Sequence, residues 1–311
     1  MDKNSEPVKF SYVCGPLLLY WVIQFVAQLA AELAVMIPHV GEVIDYEALE
    51  NTVTTDQMTE MLVGSMEKMY EVVGRYMLPI LAFGALCTLL LTIPLFLKDR
   101  KKERQMHREA RKVPGMKKYV IAAAFGAAFC VGLNCLLMLS TLAMSNIGTE
   151  SAGSLEINLG LQMVCVGIFV PISEEMMFRG LLFRRFRERS TFFTAALMSA
   201  LIFGLAGGGL TQLIYAGTLG MFLCYVYEVC GTIKVPILLH MVVNMMGVVL
   251  TDTPIGSWIL EDPMRMGAAI VLSAFIGSSM YVLLRNMKKG EPVHTEETNT
   301  GNPPSLDSFG R

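Results

Sequence analysis

Charged residues are scarce in this sequence. Asp, Glu, Lys and Arg together make up 17% of its 311 residues, whereas soluble domains carry about 25%. Hydrophobic residues make up 53%, and the mean hydropathy is +0.50. Because the apolar residues are gathered into long runs, the composition excludes an ordinary soluble protein and indicates a polytopic membrane protein.

Signals of several other protein classes are missing. The sequence has no GxGxxG motif, no Walker loop and no nucleic-acid-binding motif, and its net charge is −2, so no nucleic-acid partner is expected. The seven cysteines include no CxxC pair, which argues against a disulfide framework and against a structural zinc site. No extended strand pattern is present either. The class that remains is an all-α membrane protein.

Eight apolar segments are long enough, or nearly long enough, to cross a membrane as helices, since a spanning helix needs about 20 residues. They cover residues 12–36, 76–97, 118–144, 157–180, 192–206, 211–227, 235–251 and 267–285. The predicted fold is therefore a polytopic membrane bundle of about eight transmembrane helices.

Basic residues assign an orientation to this bundle, because cytoplasmic loops of membrane proteins are enriched in Lys and Arg. With the N-terminus inside, 22 of the 25 basic residues lie on the cytoplasmic side, and only Lys68, Arg75 and Arg265 lie outside. Both termini are therefore predicted to be cytoplasmic. The basic loop 98–118 is placed inside as well, and the acidic loop 37–75 outside.

The acidic outer loop contains a further helical pattern. Its apolar and small residues recur at helical spacing, at Met58, Met61, Leu62, Ser65, Met69 and Val72. This pattern predicts an amphipathic helix that lies on the outer membrane face, or alternatively an ordinary packed loop helix.

Two segments place ionisable or polar residues at membrane depth, where their burial is costly. The first, residues 171–186, contains Glu174, Glu175 and Arg179. Glu175 and Arg179 are four residues apart and can form an ion pair on one helix face. Glu174 is left on another face, where a carboxylate without a partner can act as a general base. The alternative is a structural Glu–Arg pair that ties two helices together.

The second segment, residues 236–246, contains His240 and Asn244, which are also four residues apart. If the two segments are neighbours, their side chains are expected to meet in one polar cavity in the cytoplasmic half of the bundle. Glutamate would then activate water, and His240 and Asn244 would stabilise the oxyanion. The alternatives are a structural histidine bonded to a carbonyl and an asparagine that links two helices.

The order of these motifs is similar to that of a known family. EEMMFR, SALIFGLAGG and PILLHMVVN follow one another within residues 155–252. This arrangement resembles the CPBP family of CAAX-processing and bacteriocin-processing intramembrane proteases, which includes the type II CAAX prenyl endopeptidases. The resemblance implies that Glu174 is the general base, assisted by Glu175, and that Arg179 orients the glutamates. His240 and Asn244 would form the oxyanion side of the site.

The resemblance also suggests how the chain is organised. N-terminal transmembrane helices with the acidic and basic loops would occupy residues 1–150, and the protease core would occupy residues 155–252. A final transmembrane helix would follow at residues 253–289, and a disordered tail at residues 290–311. Disorder of the tail is expected from its polar composition, rich in Gly, Pro, Ser and Thr. The protein is expected to be a multi-pass protein of a bacterial cell membrane.

One position departs from the family pattern. The family has a Phe-x-x-x-His motif, and here Phe203 is present, whereas Gly207 stands where the histidine is expected. Loss of such a donor typically lowers the rate by about 10²–10³, so the activity is in doubt. Gln212 or Tyr215 could supply a substitute donor.

Histidine is too scarce for the zinc sites that use two or three histidines. Of the four histidines, only His240 lies in the predicted site. No cofactor is therefore expected, and a divalent metal such as zinc held by Glu174, Glu175 and His240 is the alternative.

The predicted function is an intramembrane endopeptidase that hydrolyses a peptide bond with glutamate-activated water, in or near the cytoplasmic leaflet. Its expected partners are membrane lipids and a membrane-associated peptide or protein, for which prenylation is a family possibility. Two alternatives are open. One is a catalytically impaired family member that acts as a membrane binding, scaffold or peptide-immunity protein. The other is a small transporter that uses Glu174, Glu175 and Arg179 as an ion site.

Overall fold

The computed structural model describes residues 10–44, 46, 54–105, 114–144, 158–207 and 209–289. Within these ranges the regular structure is helical, without strands. The helices are α1 (Phe10–Val43), α2 (Thr55–Gln105), α3 (Met116–Met144), α4 (Leu159–Arg187), α5 (Phe192–Ala206), α6 (Leu210–Cys230), α7 (Lys234–Asp252), α8 (Pro254–Leu260) and α9 (Pro263–Lys289).

The predicted helical bundle is confirmed. Seven helices in the described part of the chain are long and apolar enough to cross a membrane, and α5, with 15 residues, is shorter. Seven of the eight predicted apolar segments lie within one of these helices, and the segment 192–206 coincides with α5. The remaining segment, 157–180, was predicted to begin two residues before α4 does. The short α8 was not predicted, because its seven residues are too few to give a clear periodic signal.

Helix α2 is much longer than a membrane is thick. Its 51 residues extend for about 76 Å, whereas the hydrocarbon core measures about 30 Å. The separate helix predicted in the outer loop is in fact the first part of α2, since nothing interrupts the helix before Pro79, which lies inside it. Arg75 of α2 contacts Glu42 of α1 at 3.6 Å, so the end of α1 lies beside the middle of α2.

Two ion pairs and a hydrogen bond join three helix ends at one end of the bundle, which we call the basic end. Arg184 Nε is 2.8 Å from Glu103 Oε1, and Arg185 Nε is 2.9 Å from Asp99 Oδ2. Arg185 also donates to the backbone carbonyl of Tyr12. The start of α1 and the ends of α2 and α4 therefore lie together, as the alternating topology requires.

Helix α4 passes through the centre of the main core. Met177, Leu181, Leu182 and Phe183 of this helix are fully buried, and they pack with apolar residues of α1, α5 and α6. A second core joins α3, α6, α7 and α9. From Pro171 to Arg185, the helix with the glutamates is thus held by protein on most of its surface.

Some predictions fall on residues outside the described ranges. The tail 290–311 is one of them, as are residues 106–113 of the basic loop and 47–53 of the acidic loop. The division of the chain into the domains 1–150, 155–252 and 253–289 stays a prediction, because the bounds of the helices do not test it.

Candidate active site

The two glutamates lie in a helix with unusual hydrogen bonding. Within α4, the α-helical stretch Val170–Met177 is preceded by a π-helical stretch, Cys165–Phe169, and followed by another, Phe178–Phe183. Pro171 has no backbone N–H, so one helical hydrogen bond is missing just after the first π stretch. Such π turns are rare and are frequent at functional sites.

Glu175 and Arg179 form the ion pair that their spacing suggests. Arg179 Nη1 is 2.7 Å from Glu175 Oε1, and both side chains are fully buried. The guanidinium of Arg179 also lies over the ring of Phe203, 4.5 Å from its centre. Gly220 of α6 makes room for it, because a Cβ there would be 3.2 Å from Arg179 Nη2. This pair is part of the protein interior.

His240 lies between the two carboxylates. Its Nδ1 is 2.9 Å from Glu175 Oε1, and its Nε2 is 3.7 Å from Glu174 Oε2. An ionised carboxylate can only accept, so the tautomer that fits an ionised Glu175 has its proton on Nδ1. The other ring nitrogen is thereby directed toward Glu174, so α4 and α7 bring the two motifs together at side-chain contact distance.

Asn244 contacts the backbone of α4. Its Nδ2 donates to the carbonyl of Val166 at 2.9 Å, in the first π stretch. This contact is the interhelical link that was the structural alternative for this residue. An amide nitrogen has two N–H groups, so one remains for another acceptor.

Glu174 opens into a cavity of about 690 Å³ that His240 and Asn244 also line. The side chain of Glu174 is 28% exposed, whereas that of Glu175 is 0% exposed and lies behind the cavity wall. The two carboxylates therefore differ in access: only Glu174 can meet a molecule in the cavity.

The cavity extends away from the basic end, which differs from the expectation of a cavity in the cytoplasmic half. The lining residues farthest from the basic end include Gln28 of α1 and Thr251 of α7. Spacing from Arg184 placed Glu174 about 15 Å deep, but the side on which the packed helices leave a space depends on tertiary structure.

Sequence reasoning missed the polar lining contributed by α1 and α3. Tyr20, Gln24 and Gln28 of α1 and Asn134 of α3 border the cavity. Tyr20, Gln24 and Gln28 are spaced by four residues, so they lie on one face of an otherwise apolar helix. That spacing was the available signal.

A chain of hydroxyl groups lies next to the glutamates. Ser173 Oγ is 3.3 Å from the hydroxyl of Tyr20 and 2.5 Å from Thr88 Oγ1. These contacts join α1 and α2 to the α4 residue that precedes Glu174. The first two helices thus help to fix the position of the site.

Gln212 fills the space beside Gly207. Gly207 has ordinary right-handed backbone angles, φ −78° and ψ −14°, so a larger residue is allowed by the backbone. A Cβ at this position would lie 2.3 Å from Gln212 Cγ. The hydroxyl of Tyr215, by contrast, contacts Asn134 of α3. Gln212 is therefore the better placed of the two candidate substitutes.

The donor set suits a catalytic zinc ion poorly. Among the described residues, no group of three His, Cys, Asp or Glu side chains is arranged to hold a metal. Glu175 Oε1 is already shared by Arg179 and His240, which leaves His240 Nε2 and Glu174 facing the cavity. Catalytic zinc sites usually have three protein ligands.

Comparisons with known proteins agree with the motif order. Residues 156–246 match the family described as "Type II CAAX prenyl endopeptidase Rce1-like". The chain is 30% identical over 125 residues to the "Putative membrane peptidase YdiL" of Bacillus subtilis (strain 168), which covers 39% of this chain and 51% of that relative. The chain therefore spans about half the length of this curated relative. No solved structure matches.

Proposed function

From the match of residues 156–246 to the type II CAAX prenyl endopeptidase family, we propose that this integral, multi-pass membrane protein is an endopeptidase with Glu174 as its general base. The observation that carries the proposal is the difference between the two carboxylates. Glu174 faces the cavity, while Glu175 is fully buried and paired.

The reaction is direct hydrolysis of a peptide bond. Glu174 takes a proton from a water molecule while the oxygen of that water attacks the carbonyl carbon of the scissile bond. The tetrahedral intermediate then collapses, the C–N bond breaks, and the proton passes from Glu174 to the leaving amine. No covalent link between enzyme and substrate is formed. Activation of water without a metal is consistent with the two possible metal ligands that face the cavity, His240 Nε2 and the carboxylate of Glu174, since catalytic zinc usually needs three.

Glu175 and Arg179 act through His240 rather than on the substrate. The carboxylate of Glu175 holds the proton of His240 on Nδ1 and fixes the ring plane, while Arg179 holds Glu175. Glu175 and Arg179 are therefore positioning residues, and His240 Nε2 is the group that meets Glu174 or the developing oxyanion.

Gln212 and Asn244 complete the oxyanion side. The amide of Gln212 occupies the space beside Gly207, where the family has a histidine. Asn244 contributes the N–H that Val166 does not use. Preorganised donors of this kind stabilise negative charge as it develops in the transition state.

The substrate we propose is a membrane-associated peptide or protein. The membrane setting and the family favour this class, and a prenylated C-terminus is one form it could take. The proposal does not require prenylation, because the cavity walls that hold Glu174 are polar as well as apolar.

A second candidate function is binding without cleavage, as a scaffold or peptide-immunity protein. Two observations favour it: Gly207 replaces the family histidine, and Asn244 already donates to Val166. A binding role needs the shape of the cavity but does not need Glu174 as a base.

The two functions are separated by Glu174→Gln, which keeps the shape and removes the base. Purified protein in liposomes is incubated with a library of membrane-inserted peptides, and new termini are identified by mass spectrometry. Loss of a general base should lower the rate by about 10²–10⁴. Glu60→Gln is the matched control, since Glu60 is an exposed carboxylate of α2.

Cleavage by the wild type and the Glu60→Gln control but not by Glu174→Gln supports the proposal. Equal cleavage by all three defeats it. In a deletion strain, full rescue of a phenotype by Glu174→Gln would instead favour the binding function.

A further inference from the structure

We propose that the substrate enters the cavity from the extracytoplasmic side, through the outer half of the membrane. This inference rests on the proposed function, and it concerns the same cavity. It assigns the substrate to one class: a membrane-anchored peptide or protein whose scissile bond is reached from the outer leaflet.

The basic end of the bundle is closed below the glutamates. Leu181, Leu182 and Phe183 of α4 are 0% exposed, and Ile233, next to the start of α7, is also buried. These side chains pack against α1, α2, α5 and α6 in the main core. A peptide has no path from the basic end to Glu174 through this packed layer.

Most of the cavity wall lies on the other side of the glutamates. The lining residues nearest the basic end include Phe178 and His240, about six residues from Arg184 and Lys234, or about 9 Å along their helices. Gln24, Gln28 and Thr251 line it much farther away. The cavity therefore runs from the glutamates toward the far end of the bundle.

The distribution of charge identifies the basic end as cytoplasmic. Ion pairs place Arg184 and Arg185 beside the end of α2, where four of the five residues 98–102 are basic: Lys98, Arg100, Lys101 and Lys102. Among the described residues, the far end carries three basic residues, Lys68, Arg75 and Arg265. Because positive charge stays inside, the far end faces outward.

The side of the cavity suits a substrate that arrives from the lipid. Trp21 and Phe25 of α1 belong to its lining and are 38% and 66% exposed. The opposite wall is formed by the α5–α6 hairpin around Gly207 and Gln212. An anchored peptide would thus pass between α1 and this hairpin, with its apolar part still in the bilayer.

Thiol labelling in intact cells tests the direction of access. Gln24→Cys introduces a thiol within the cavity, and Gln105→Cys introduces one at the exposed end of α2, on the basic side. A membrane-impermeant, sulfonate-bearing methanethiosulfonate is the probe, and the parent protein with its seven cysteines gives the background. Thr251→Cys, in the wall formed by α7, is a second cavity position should Gln24→Cys fold poorly.

We expect Gln24→Cys to react in intact cells at least tenfold faster than the background, and Gln105→Cys to react only after permeabilisation. Any other pattern overturns the inference, including a cavity thiol that reacts only after permeabilisation. The readout does not depend on catalysis. If the protein cleaves peptides but its cavity thiol is not labelled in intact cells, only entry from the outer side is contradicted. If the cavity thiol is labelled but the protein never cleaves, only the proposed function is contradicted.

Discussion

The two ends of the helical bundle use polar residues in opposite ways. At the basic end, Arg184 and Arg185 are almost fully buried and pair with Glu103 and Asp99. In the cavity, the polar groups are mainly neutral amides and hydroxyls, such as Gln24 and Tyr20, and Glu174 is partly exposed. Charges close the first region, whereas neutral donors and acceptors line the open one.

This difference shows how a membrane protein can hold a carboxylate at depth with access to a cavity. A charge removed from water needs a partner, and removal of one partner leaves the other uncompensated. Glu175 meets this requirement through its contacts with Arg179 and His240, and it faces no open space, since it is buried behind the cavity wall. Glu174 keeps access to the cavity, so it need not be paired in the same way.

The largest expected effect is on stability. Arg179→Ala leaves the carboxylate of Glu175 buried without its strongest partner, which should lower the free energy of unfolding by about 3–5 kcal/mol. Thermal unfolding in detergent measures the loss. The double variant Glu175→Gln with Arg179→Met removes both charges and should unfold nearer to the wild type. An Arg179→Ala protein as stable as the wild type would contradict the assigned role of the pair.

The second-largest effect is expected on catalysis, at the cavity that Glu174 lines. Gln212→Ala should cost about 2.7–4 kcal/mol of transition-state stabilisation, or about 10²–10³ in kcat/KM, because it removes the proposed oxyanion donor. Gly207→His alone should bring little gain, since its side chain meets Gln212. In the Gln212→Ala background, Gly207→His should restore activity. Kinetics on a cleaved peptide test all three variants, and unchanged kcat/KM in Gln212→Ala would exclude Gln212 as a donor.

A smaller effect is expected where the open region meets α4. Asn244→Ala removes the hydrogen bond to the carbonyl of Val166. Interhelical bonds in membranes contribute about 0.6 kcal/mol on average, so the melting temperature should fall only slightly. The rate should fall more strongly if Asn244 also contacts the oxyanion. Asn134→Ala, in α3, is the comparison, and parallel losses in stability and rate would make Asn244 purely structural.

The smallest effect is expected at the exposed rim of the basic end. Arg187 and Glu228 are 3.3 Å apart, and the arginine side chain is 40% exposed. Exposed pairs contribute about 0.2–1 kcal/mol, so Arg187→Ala should leave both unfolding and cleavage nearly unchanged. The buried counterpart, Arg185→Ala, should destabilise the protein far more. Similar melting temperatures for Arg187→Ala and Arg185→Ala would show that the exposed and the buried ion pair contribute equally to stability, contrary to this prediction.

Sequence patterns predicted the parts of this structure that depend on one helix at a time. The four-residue spacing of Glu175 and Arg179 gave their contact, and the apolar runs gave the helices. The position of His240 between two carboxylates depends on the packing of α4 against α7, which no local pattern contains. The same is true of Gln212, whose side chain occupies the space beside Gly207 only because α5 and α6 form a tight hairpin.

The two π stretches of α4 make the length of this helix as important as its side chains. Each π turn accommodates one residue more than an α-helix with the same end points. Deleting Gly180, in the second π stretch, would let this turn rewind as an α-helix between the same end points, so Arg184 and Arg185 would still face Glu103 and Asp99. Deleting Met176, in the α-helical stretch, would instead turn all that follows by about 100° and point both arginines away from their partners. The effect of a one-residue deletion on the angle between the glutamates and the closed end thus depends on which kind of turn it shortens.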